Sequence, residues 1–131
     1  MNRYEEERLK LPRQLRRSIQ SAFLSVWQSR FRDGSAFAGS GVIMVPTSGP
    51  PIRCVASLDR IGGVVEEHVS VSRGAGAPPP SWDDLVLIRS LAWSDDLEVI
   101  QILPPLTGAR ADRWISIGGV EVLHLRRQRP A

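Results

Sequence analysis

One cysteine, one lysine, two histidines and one tyrosine are all that 131 residues contain of those types, and each scarcity removes a class of explanation. A single Cys54 cannot close an internal disulfide or build a thiolate metal cluster. It stands in the apolar run Ile52 to Leu58, which makes it a small core residue and fits a reducing compartment. No stretch approaches the roughly 20 apolar residues of a spanning helix. Met1 to Lys10 carries Glu5, Glu6 and Glu7 where a signal peptide would be apolar, so neither secretion nor membrane insertion is expected. What remains, 42% hydrophobic and 24% charged residues, is ordinary globular composition in a chain of single-domain length.

With one lysine, the basic charge is almost all arginine, the better bidentate partner for carboxylates and phosphates. Its distribution is uneven. Met1 to Arg32 holds eight basic residues against three acidic, Asp33 to Trp93 four against six, and Ser94 to Ala131 five against five. The net charge of +3 therefore originates in the N-terminal segment.

Pro12 suits the start of a helix, and Leu15, Ile19, Phe23 and Trp27 then recur every fourth residue, with Ala22 and Val26 in the same stripe. The spacing predicts a basic amphipathic helix within residues 1–34, stopped near Asp33-Gly34, with Arg13, Arg17 and Gln20 on its polar side. Ser35 to Gly41 reads as a turn into a short strand, Val42 to Val45; it lacks the lysine and Ser/Thr ending of a phosphate loop. Ile52 to Leu58 and Val64 to Ser72 read as strands joined at Asp59 to Gly63. Alternation puts Val65, Glu67, Val69 and Val71 on one face and Glu66, His68, Ser70 and Ser72 on the other. After a Gly/Pro loop, Ser81 and Asp84 frame a capping box for a second helix, Trp82 to Trp93. Leu97 to Leu103, Trp114 to Ile117 and Val120 to Leu125 complete the extended segments, and the basic end, 127–131, is expected as a flexible tail. This order predicts a single α+β domain: a small, mainly antiparallel sheet of four to five strands packed with an N-terminal and a central helix, 35–131 holding the sheet and the second helix.

Catalytic signatures are absent. His68 and His124 have no third ligand at metal-site spacing, and Asp83-Asp84 and Asp95-Asp96 are explained by capping and turns. Ser40 lacks a nucleophile-elbow frame. The expectation is no enzyme, no cofactor and no metal.

The succession Glu67-His68-Val69-Ser70-Val71-Ser72, Pro80-Ser81-Trp82-Asp83-Asp84-Leu85, Ile100-Gln101-Ile102-Leu103-Pro104-Pro105 and Leu123-His124-Leu125-Arg126 resembles a family of small uncharacterised phage and prophage proteins, over about residues 65–126. Arg126 stands where the family often has tryptophan, and Leu103 where histidine is common. The resemblance implies a phage-type origin, a compact α+β fold and the cytoplasm of a bacterial host, and no site.

These readings lead to a non-enzymatic accessory protein that binds a host or phage protein, an inhibitor of a host defence complex being one example. Its contacts are expected from Arg13, Arg16 and Arg17 on the first helix, Arg126, Arg127 and Arg129 near the end, and Trp114, against an acidic partner surface. The alternative is a nucleic-acid-binding module using the same arginines. Pairing of strand edges into a homodimer is open to such a sheet.

Overall fold

The computed structural model describes residues 6, 9–29, 37–74, 76–93, 101–102, 113–115 and 121–130. Helix α1 is Arg13–Trp27; strands β1 (Phe37–Val45), β2 (Ile52–Ile61) and β3 (Val64–Ser72) follow, then helix α2 (Trp82–Ala92) and strands β4 (Gln101–Ile102), β5 (Arg113–Ile115) and β6 (Glu121–Pro130). The fold is α+β. Four long strands lie in the order β1-β2-β3-β6, all neighbours antiparallel, and the short β4 and β5 both pair with β6.

One face of the sheet is apolar because the strands alternate. Ile43 and Val45, Ile52, Cys54, Ala56 and Leu58, Val69 and Val71, and Leu123 and Leu125 all point into a single core. Ile19, Phe23 and Val26 of α1 and Leu85, Ile88 and Leu91 of α2 close it. Burial pushes the Cys54 thiol up to about 12, so it stays protonated and inert. Helix α2 is capped as its sequence requires: Asp84 N–H donates to Ser81 Oγ at 3.2 Å, and Ser81 N–H donates to Asp84 Oδ2 at 2.8 Å.

Several boundaries differ from the sequence reading for physical reasons. Helix α1 ends at Trp27, before the glycine expected to stop it; Asp33 and Gly34 lie outside the described residues. The turn between β2 and β3 shrinks to Gly62-Gly63, because Ile61 already pairs with Val64. Gly62 supplies the left-handed φ of 62° that such a tight turn needs at its first position.

From Phe37 on, the small-residue run before Val42 is strand, not turn: it forms the first half of β1, and residues 35–36 lie outside the described residues. Its glycines let α1 settle close to the sheet. A Cβ on Gly41 would stand 3.0 Å from Val26 Cγ2, and one on Gly39 would stand 2.7 Å from Ser29 Oγ. Gly41→Val should therefore lower the unfolding free energy by about 1–3 kcal/mol through overpacking, measured by urea denaturation. Wild-type stability in that variant would contradict the close approach of α1.

The expected flexible tail is the largest correction. Residues 127–130 are the end of β6, paired with β3 from Val64↔Pro130 through Glu67↔Arg127, and Arg127 is buried. The alternation that buries Leu123 and Leu125 simply continues, and Arg127 and Arg129 follow on the same face.

Candidate functional site: an arginine-lined cleft

That continuation brings two cations to the core side of the sheet, and one anion meets them. Glu67 is fully buried. Its Oε1 accepts from Arg127 Nε at 2.5 Å and from Trp93 Nε1 at 3.1 Å, and its Oε2 accepts from Arg129 Nη2 at 2.9 Å. A carboxylate with three donors is stable where an unpaired one would not be. The Arg127 guanidinium also lies 5.7 Å from the Trp93 ring centroid. Trp93 stacks on Trp27 (5.3 Å, 11°), Trp27 on Phe23 (6.1 Å, 19°), and Trp27 Nε1 donates to Ala92 O at 2.8 Å. A row of rings thus ties the end of α1 to the end of α2 and to β6.

Beside this row the surface is concave. A cleft of about 660 Å³ runs between the Arg17–Gln28 side of α1 and a wall of Leu91, Ala92, Trp93, Arg127 and Arg129, and Gln20, Ser21, Leu24 and Trp27 complete the helix side. Among the described residues that line it, three are arginines and none is a carboxylate. Glu67 lies behind the wall and pairs with both β6 arginines, and among the described residues the Arg17 guanidinium has no ion pair or hydrogen bond. The described lining is therefore rich in arginine, with apolar ring edges in its floor.

Of the residues singled out by sequence, the structure gathers Arg17, Arg127 and Arg129 here. Arg13 is exposed and outside the cleft lining. Arg16 is half-buried and also outside it, its Nε buried without a hydrogen-bond partner. Arg126 points to the opposite face of the sheet, where Nη1 donates to Glu66 Oε2 at 3.3 Å. Trp114 lies on β5 opposite Val122, and its side chain lies outside the described residues. The sequence reading missed Glu67 and Trp93. The available signal was a glutamate on the apolar face of β3, which requires buried donors.

The outer face holds a second polar group. His68 Nδ1 and His124 Nε2 are 2.7 Å apart, with ring planes inclined by 17° and centroids 4.8 Å apart. So long a centroid separation with so short a nitrogen contact means edge-to-edge rings sharing one hydrogen bond in a common plane, not overlapping faces. Burial, then His68 and Arg126, pull the His124 imidazole down to about 4 against a smaller opposing pull from Glu66, which keeps it neutral at pH 7; one of the two facing nitrogens then carries the proton and the other accepts it. His68 Nε2 lies 3.3 Å from Asp59 Oδ2 and 3.5 Å from Glu66 Oε1, near enough for ionic contact but misaligned for a hydrogen bond. The facing nitrogens are spent on each other. Among the described residues no three His, Cys, Asp or Glu side chains are arranged to hold a metal ion.

This pair has a pH consequence. The unfolded imidazole titrates near 6.5 and the folded His124 near about 4, so between those values the unfolded chain takes up a proton that the folded chain refuses. Its contribution is complete above pH 6.5, declines as pH falls toward 4 and levels off below. After allowance for solvent screening the loss is on the order of 1–2 kcal/mol. Urea midpoints at pH 7 and pH 4.5 should differ less in His124→Gln than in the wild type; an unchanged difference would contradict the assignment.

A second concavity, about 630 Å³, lies between the Pro46–Pro50 turn and the start of α2. Its arginine is already neutralised. Arg73 holds Asp84 through Nε at 3.2 Å and Nη2 at 2.9 Å and reaches Thr47 Oγ1 at 3.2 Å and the Pro50 carbonyl, which makes it a strut.

The fold and site together define an α+β protein with a surface cleft whose described lining includes three arginines. Residues 59–107 match a family described as a domain of unknown function (DUF7694). No curated protein and no solved structure matches the chain.

Proposed function

We propose that the protein is a non-enzymatic binding module that engages an acidic surface of a host or phage protein through the cleft between α1 and β6. The observation that carries this reading is the convergence of Arg17 with Arg127 and Arg129, more than a hundred positions apart in sequence, on a recess with no carboxylate among its described lining residues. Such a site attracts an anionic partner at long range and holds it by charge-assisted hydrogen bonds. Phage origin rests on the sequence resemblance, and a reducing bacterial cytoplasm on the lone buried thiol; among the described residues no helix is long and apolar enough to cross a membrane.

Protein is favoured over nucleic acid by the state of the rings. Trp27 stacks on two neighbours and Trp93 is 3% exposed, with Arg127 above it. Base stacking needs an open aromatic face, and these are engaged inside the protein.

The test is capture from bacterial lysate at physiological salt, with and without nuclease, using the wild type and Arg17→Glu/Ser21→Glu, which reverses the charge of the helix wall at exposed positions. The expected result is a stoichiometric acidic protein that survives nuclease and is lost from the variant. Loss of all captured material on nuclease treatment, or equal capture by both proteins, would contradict the proposal.

A further inference from the structure

The lining of the cleft fixes more than the sign of its partner. Along α1 it is contributed by positions 17, 20, 21, 24, 27 and 28, one continuous stripe of the helix. Eleven residues of rise make that stripe roughly 16 Å long, the reach of about five extended residues. Charge and apolar surface are separated along it. Arg17 stands at one end, the Trp93–Arg127 contact lies beside Trp27 at the other, and Leu24, 52% exposed, sits between them. Arg129, the more exposed of the two β6 cations at 45%, adds a second positive group to the far wall.

We propose that the cleft is a docking groove for an extended acidic segment of the partner protein, about five residues long, with carboxylates for Arg17 on the helix wall and Arg129 on the facing wall and one apolar side chain that covers Leu24. This rests on the acidic-partner reading above and specifies the shape of what enters. A broad acidic surface could meet only the rim of a recess, whereas a single strand of chain brings carboxylates to both walls at once. The apolar side chain removes Leu24 and the Trp27 edge from water, a gain that a purely charged ligand lacks.

The test uses three blocked synthetic pentapeptides, EELEE, EEGEE and QQLQQ, and a 20-nucleotide oligothymidylate. Each is titrated into the full chain while the indole N–H signals of Trp27 and Trp93 are followed by NMR. EELEE should shift the Trp27 signal and bind at least about tenfold more tightly than QQLQQ, and about fivefold more tightly than EEGEE. Arg17→Glu/Ser21→Glu should abolish its effect, and Leu24→Ser should bring EELEE down to the affinity of EEGEE. Equal binding of EELEE and EEGEE, or shifts produced by the oligonucleotide and not by the peptide, would overturn the inference. Failure of every peptide, alongside a captured protein still lost from Arg17→Glu/Ser21→Glu, would sink the linear-segment groove and leave the acidic-partner reading standing; a captured protein indifferent to that variant would sink both.

Discussion

Glu67→Ala should lower the unfolding free energy by about 3–5 kcal/mol. The reason is what it leaves behind. Arg127 and Trp93 are buried and both donate to Glu67 Oε1, and Arg129 donates to Oε2. Removing the carboxylate takes the shared acceptor from a buried cation and a buried indole N–H, whose desolvation it offsets. For a domain whose total stability is about 5–15 kcal/mol, that is enough to populate the unfolded state. Glu67→Gln keeps an acceptor for one or two of the donors and should cost markedly less. Urea denaturation distinguishes them: equal losses in the Ala and Gln variants would show that shape, not charge pairing, is what Glu67 provides.

Phe23→Ala is the second, at about 3–5 kcal/mol. Phe23 is wholly buried between α1 and the sheet, and its ring stacks on Trp27, which in turn stacks on Trp93. The cavity forms at the one place where α1, α2 and the end of β6 are joined. Trp27 should then gain mobility and water contact, which adds a second readout: a red shift of tryptophan emission in the native state of the variant. A loss below about 1 kcal/mol with unchanged emission would contradict the packing described here.

Much of the fold is legible in the sequence because it rests on short-range signals. The four-residue recurrence of Leu15, Ile19, Phe23 and Trp27 finds α1, and Ser81 with Asp84 finds the start of α2. The alternation through Val65 to Ser72 assigns both faces of β3 correctly, including the separation of Glu66 from Glu67. Long-range causes were not legible. Gly39 and Gly41 look like turn residues until α1 is placed against them, and an arginine-rich end looks like a free tail until Glu67 gives its cations a buried partner. For the same reason the six arginines chosen for their charge divide three ways. Arg17, Arg127 and Arg129 meet in the cleft, Arg126 is turned by strand alternation to the Glu66 face, and Arg13 and Arg16 stay outside both. Composition singled out arginines; only pairing and register decide which of them share the cleft.

The most direct test of the cleft as the partner's site compares two variants with the same change in net charge on the same helix. Arg17→Glu/Ser21→Glu alters the cleft wall, while Arg13→Glu/Gln14→Glu alters exposed positions outside it. Affinity for the captured acidic protein is measured by calorimetry at physiological salt, after circular dichroism has shown both variants folded. The cleft variant should lose at least about tenfold in affinity and the control should stay within about twofold of the wild type. Equal losses in the two variants would mean that the partner responds to the general positive field of the N-terminal helix, and the cleft would not be its site.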